Sequence, residues 1–426
     1  MRFLLTLLIP LTALADVRTF SLQDLLAAAL AQNPEVVLSR LEEEKSNDDI
    51  VLARDPFHPK LVVGSGLAKN FGFPMSIEGS APSVVQAKAI ASIFDRPQSY
   101  RVEAAKERKK ISTFDTQAKR DEITHRAASL YLDALRLNQA LRVLRSQVEN
   151  LTVVEASVRT RVDEGRDLSI DAKRANLRLL QARQRVRTFE TEIHNAEVGM
   201  AAIAGLGVND LVRPKDQELQ IPTMHLDTEE SAIEAALAAS NEIKKLETGL
   251  VAKGWEVKAS KAANLPKIDL VAQYGLFAKF NNYEDYFRNF QRHNGILGVS
   301  VQLPILTGSA SRAMASQGNI EISRLRLQMS SARNRISSEV RRAWQDVERA
   351  QTSSELSLLE LDLQREEVTR ILALIVEGKA TQKQLEEMRY LENEKWVSMF
   401  DSRFMLERAK LDLLRQTGTL VAQLRP

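Results

Sequence analysis

Five histidines are the first residues to examine for chemistry: His58, His125, His194, His225 and His293. A metal site needs ligands spaced to meet on one helix face or across a tight turn. No two of these five have that spacing, and they read as helix-surface, linker and loop residues. The chain has no cysteine, which excludes thiol nucleophiles, thiolate ligands and disulfides. Gly64-Ser65-Gly66 is only a fragment of a phosphate-binding loop, and it lies in a run with strand period, where small residues serve packing. Carboxylates are abundant along the helical stretches, where a solvated face accounts for them. No nucleophile, base and orienting group come together, so neither an enzyme nor a cofactor is expected. With 59 basic and 56 acidic residues the net charge is +3, and no nucleic-acid surface is implied.

The most informative residues sit instead in a turn that occurs twice. The first copy runs Val162-Asp163-Glu164-Gly165-Arg166-Asp167-Leu168-Ser169, the second Val376-Glu377-Gly378-Lys379-Ala380-Thr381. Gly165 and Gly378 lie 213 positions apart. Glycine enters the left-handed conformation that ends a helix without steric cost. Ser169 and Thr381 are then the expected N-caps of the helices that follow. Before the first turn, apolar residues alternate in steps of four and three, as in Ile123, Ala127, Leu130, Ala134, Leu137, Leu141 and Leu144. The stripe resumes after it from Leu168 through Ala172, Ala175, Leu179 and Ala182. The same offset reproduces it, with more interruptions, around Gly378. A sustained 4-3 stripe is a coiled-coil seam. Charged residues at 27% and aromatics at 5% suit long solvated helices.

These turns need long helices to position them, and the chain supplies the pieces in order. Met1–Ala15 has the charge, apolar run and small-residue end of a secretory signal peptide. Ser21–Ala31 is a short amphipathic helix with Ser21 and Asp24 in capping-box positions. A second helix starts at Asn33-Pro34-Glu35 and ends before Pro56 and Pro59. Two runs of period two follow, Lys60–Asn70 and Ser83–Phe94, the latter with Val85, Ala87, Ala89, Ala91 and Ile93 on one face. A helix from about Pro97 to Val162 spans ~100 Å at 1.5 Å per residue, and Ser169–Ala204 returns. The plan then repeats: a short helix from Asp227-Thr228, another from Asn241, strands over Ile268–Ala278 and Gly295–Leu303, a long helix to Glu377, and a last one from Thr381 to about Gln416. The expected layout is a signal peptide over 1–15, a first repeat over 16–213, a linker over 214–226 and a second repeat over 227–426. The fold class is mainly α with a small β part.

Each strand is about ten residues long with one apolar and one polar face, which fits a transmembrane β-barrel strand and equally a soluble antiparallel sheet with one wet face; the signal peptide and the lack of a globular framework favour the barrel. Four strands are too few to close a barrel, and open edges do not sit in lipid. Several chains must therefore contribute strands to one barrel.

At this point the chain resembles the TolC family of outer-membrane efflux proteins, over the whole mature length. The resemblance is carried by the duplication, Ser21-Leu22 through Asn33-Pro34-Glu35, the strand end Pro304-Ile305-Leu306-Thr307-Gly308, and the Gly165 and Gly378 turns. It implies a homotrimer whose strands form a twelve-stranded barrel in outer-membrane lipid. The helices then form a hollow α-barrel across the periplasm. It further implies an exit duct docked onto a periplasmic adaptor (a membrane fusion protein) and an inner-membrane pump. By the same resemblance, Gly165, Leu168, Gly378 and Ala380 match the adaptor-docking tip. Asp171 in the first half, and Gln384 and Glu387 in the second, match the periplasmic gate, where family members carry acidic rings. Gln384 departs from the acidic residue common there. The cysteine that anchors some members to lipid is missing. Two other classes use long helical hairpins. A periplasmic adaptor has one hairpin between β-rich halves, and a structural coiled-coil envelope protein has no need of lipid-facing strands.

Overall fold

The computed structural model describes residues 17–67, 83–207, 209–216, 219–222, 228–277, 291–305 and 309–424. The expected signal peptide, most of both strand-connecting loops and Thr307-Gly308 lie outside them. The fold is mainly helical with a small sheet part. Its residues group into two compact units. One comprises Met1–Ser39, Thr116–Asn241 and Ala332–Pro426, the other Arg40–Asp115 and Glu242–Ser331. Two long helices, α3 (Arg96–Asp163) and α7 (Ala310–Val376), have residues in both.

The first unit opens with strand β1 (Val17–Phe20), which pairs in parallel with β4 (Leu211–Pro214). β4 closes the expected first repeat, and only its last residue, Pro214, falls in the expected linker. Helix α1 (Leu22–Gln32) follows β1. Its capping box forms as expected: the Asp24 N–H donates to Ser21 Oγ at 3.2 Å, and the Ser21 N–H to Asp24 Oδ2 at 3.0 Å. Leu22, Leu25, Leu26 and Ala29 are the buried face of α1, and they pack with Ile123, Ala127 and Tyr131 of α3. The return helix α4 (Ser169–Ile203) and the late helix α8 (Gln382–Gln416) complete this core through Met200, Leu411 and Leu414, and the short α9 (Leu420–Leu424) closes it. Each fully buried leucine contributes about 2–3 kcal/mol, so the α1 face alone outweighs the few tenths that its helix propensity supplies. Polar ties fix the irregular chain. Buried Glu407 accepts the Ile221 N–H at 2.5 Å, and Asn33 Nδ2 donates to the Ile203 carbonyl at 3.0 Å. The short helix α5 (Glu229–Ala239), capped by Thr228, belongs to this unit too.

The second unit carries α2 (Pro34–Arg54) from Arg40 onward, α6 (Asn241–Lys261) from Glu242 onward, and the sheet. Strands β2 (Lys60–Gly66), β3 (Ser83–Phe94), β5 (Lys267–Phe277) and β6 (His293–Gln302) are antiparallel in the order β2-β3-β5-β6. Their register aligns the apolar positions row by row. One row is Leu61, Ala89, Ala272 and Leu297; the next above is Ala91, Leu270 and Val299. The opposite face carries Val62, Lys88, Gln273 and Ile296 in one row and Ser92, Asp269 and Ser300 in another. One expected assignment changes. The register shifts between Ser92 and Phe94, so Phe94, not Ile93, pairs with Ile268 and continues the apolar face. An extra residue at such a bulge moves the next side chain to the other face. Asp269 is buried, accepts from Ser92 Oγ at 2.6 Å and lies 3.1 Å from Lys267 Nζ. β2 and β6 each leave one edge unpaired within the described sheet.

Candidate functional site

Both turns end their helices with the same hydrogen bonds. The Gly165 N–H donates to Val162 O at 3.0 Å and the Arg166 N–H to Arg161 O at 2.8 Å. The Gly378 N–H donates to Ile375 O at 3.0 Å and the Lys379 N–H to Leu374 O at 2.8 Å. This is the Schellman arrangement, and it requires the left-handed residue that both glycines supply, with φ of 71° and 74°. A Cβ on either glycine would meet nothing within 4 Å, so the surroundings leave these turns open.

The helices that follow start differently. Thr381 caps α8 as expected, its Oγ1 accepting the Gln384 N–H while Gln384 Oε1 accepts the Thr381 N–H at 2.8 Å. Ser169 does not cap α4. The cap position is Leu168, which has no side-chain acceptor, and Ser169 is the first helical residue. Asp171 in that first turn supplies the negative charge that a helix N-terminus favours. Leu168 is consequently 71% exposed, and Val376 at the other turn is 88% exposed. Ion pairs surround these apolar side chains: Arg161 with Asp167 at 2.8 Å, and Lys379 with Glu377 at 2.8 Å. An exposed apolar residue ringed by charge, on an unobstructed turn, is suited to contact another protein.

The match to known proteins bears on what these elements are for. The family model for outer membrane efflux proteins matches residues 25–206. The outer membrane efflux protein BepC of Brucella suis is 20% identical over 329 residues, 77% of this chain and 70% of the relative. The pyoverdine export outer membrane protein OpmQ of Pseudomonas aeruginosa is 27% identical over 221 residues, 51% of this chain and 44% of the relative. The open-state structure of the Neisseria gonorrhoeae MtrE outer membrane channel superposes with a TM-score of 0.75 at 16% identity, covering 93% of this chain and 88% of that one. The chain has the fold of these outer-membrane channels and is similar in sequence to outer membrane efflux proteins.

In this chain the residues matched to the gate occupy three separate settings. Asp171 lies 3.6 Å from Arg174 on the same helix. Gln384 is engaged in the capping box. Glu387, one turn further along α8, lines a cavity with Arg178 and Arg185 of α4. Among the described residues, no hydrogen bond or ion pair joins Asp171 to Gln384 or Glu387. Two features escaped the sequence: the Gln384 side chain as a capping partner, legible from the Thr-x-x-Gln spacing, and the α4 arginines facing Glu387, for which no local signal exists.

Proposed function

We propose that this chain is the outer-membrane exit duct of a tripartite efflux or type I secretion system, passing substrate passively from the periplasm to the outside. The observation that carries this reading is the sheet. One face is apolar in register across all four strands, while the other carries the polar groups Lys88, Gln273, Ser92, Asp269 and Ser300 among apolar Val62 and Ile296. Such a face suits lipid, and the two unpaired edges of β2 and β6 are satisfied when neighbouring copies continue the sheet. Three copies supply twelve strands, and the protein acts as a homotrimer in the outer membrane with its helices in the periplasm.

The twofold order of elements supports an internal duplication. Lengths of 11, 21, 68 and 35 residues for α1 to α4 recur as 11, 21, 67 and 35 in α5 to α8. The turns at Gly165 and Gly378, with Leu168 and Ala380, meet a periplasmic adaptor, which links the duct to an inner-membrane pump. Asp171 and Glu387 line the narrow part of the duct above the tip. There, symmetry-related carboxylates repel one another and favour bound cations. The test is purification in detergent followed by planar-bilayer recording. A trimer that conducts ions is expected. A monomer that stays soluble without detergent overturns the reading.

A further inference from the structure

Helices α3, α4 and α8 pack together at a defined place in the first unit. Ala140 and Leu144 of α3 pack against Val397 of α8, with Val186 and Phe189 of α4 beside them. One step toward the turns on all three helices, packing gives way to a cavity of about 440 Å³. That volume falls in the range of small-molecule sites, which span roughly 300–1,000 Å³. Ala182, Met388 and Leu391 form its apolar wall.

Its polar lining is unevenly satisfied. Arg185 is neutralised by Glu394 at 2.5 Å. Arg178 and Glu387, which also line the cavity, make no hydrogen bond or ion pair with each other or with any other described residue. Gln147 of α3 lines the same cavity and is only 3% exposed, and its Nε2 has no hydrogen-bond partner. A buried donor without a partner is costly, and such groups in folded proteins generally have a reason. The cavity therefore presents one unpaired cation, one unpaired anion, a buried amide donor and an apolar wall.

We propose that this cavity binds a zwitterionic amino acid with an apolar side chain. Its carboxylate meets Arg178 and the Gln147 amide, its ammonium meets Glu387, and its side chain lies on Met388 and Leu391. A simple organic anion leaves Glu387 unmatched, and a simple cation leaves Arg178 unmatched. The inference rests on the geometry of this unit and not on the exit-duct reading. Binding is read in solution, whereas the duct is read as conductance, so either can fail without the other.

The experiment is a ¹⁹F NMR titration of 4-fluoro-L-phenylalanine into the full-length protein in detergent. Its N-acetyl derivative, which lacks the cation, and its carboxamide, which lacks the anion, serve as comparators. Saturable line broadening is expected with the amino acid, and about tenfold weaker binding with each derivative, the scale of one hydrogen bond to a charged group. Arg178→Gln should remove the discrimination against the carboxamide, and Glu387→Gln that against the N-acetyl form. Met388→Trp, which fills the cavity, should abolish binding. Arg178 is exposed on the helix surface, so its variant keeps the fold even where the tryptophan disturbs it. No saturable binding to the wild type, equal binding of the N-acetyl derivative, or unchanged binding in Arg178→Gln would each overturn the proposal.

Discussion

Four helices end on a left-handed glycine, and their surroundings predict different tolerances to a single methyl group. Gly165, Gly205, Gly378 and Gly418 have φ between 69° and 74°. Alanine at any of them costs about 1–2 kcal/mol in backbone strain. At Gly165 and Gly378 a Cβ meets nothing within 4 Å, so that is the whole penalty. At Gly205 the Cβ would sit 2.6 Å from the Gln32 carbonyl oxygen, and at Gly418 2.8 Å from the Ala239 Cβ. Neither neighbour is the end of a flexible side chain. Overpacking of this kind adds about 1–3 kcal/mol. Denaturation of the four alanine variants, followed by helical circular dichroism, should rank Gly165→Ala and Gly378→Ala closest to wild type. Gly205→Ala and Gly418→Ala should unfold well before them. If Gly205→Ala proves as stable as Gly165→Ala, the close approach of α1 to that turn is wrong.

The sheet faces give a second test. Leu270→Arg or Val299→Arg should impair membrane assembly by about 2–4 kcal/mol at mid-bilayer, while Gln273→Arg and Gln302→Arg are better tolerated. Equal heat-modifiable trimer bands for all four would remove the face assignment. Gly378→Trp, placed where a Cβ has open space, should leave trimers intact and abolish transport in cells; normal transport would argue against docking through this turn. Glu387→Gln and Asp171→Asn should each reduce cation selectivity and divalent-cation block in single-channel recordings, and unchanged currents in both would refute the gate assignment. Burial pushes the Asp121 carboxyl above its ordinary range, against Arg120, the Asn241 amide and Arg415. The folded state thus holds this proton more tightly than the unfolded chain, and the residue's contribution to stability falls as pH rises through the carboxylate range. Asp121→Asn should raise the unfolding midpoint at pH 7 and leave it unchanged near pH 3.

The helices and strands were legible because each announces its period locally. Leu25 and Ala29 share one face of α1, Ile123 and Ala127 one face of α3, and Leu270, Ala272 and Tyr274 one strand face. The turn glycines were legible because the left-handed conformation singles out one residue type. What escaped was non-local or a matter of one residue. β1 and β4 have four residues each, too few to display a period, and they find each other across 190 residues of chain. The displacement of Ile93 by Phe94 depends on a register shift that involves the partner strand. Ser169 looked like a cap because serine suits that role, yet the helix starts one residue earlier. The cavity near Glu387 required knowing that α4 and α8 are neighbours, which no spacing within either helix reveals.

The Thr381–Gln384 capping box separates two properties that usually change together. Glutamate serves as well as glutamine at the third position of such a box, because only one side-chain oxygen is needed by the Thr381 N–H. A change of Gln384 to glutamate would therefore keep the helix start intact while adding a charge one turn from Glu387. The reverse change would remove that charge without loosening the cap. The electrical character of this part of the protein is thus adjustable by single, structurally silent substitutions. Selection on the charge carried here can act without first having to repair the fold.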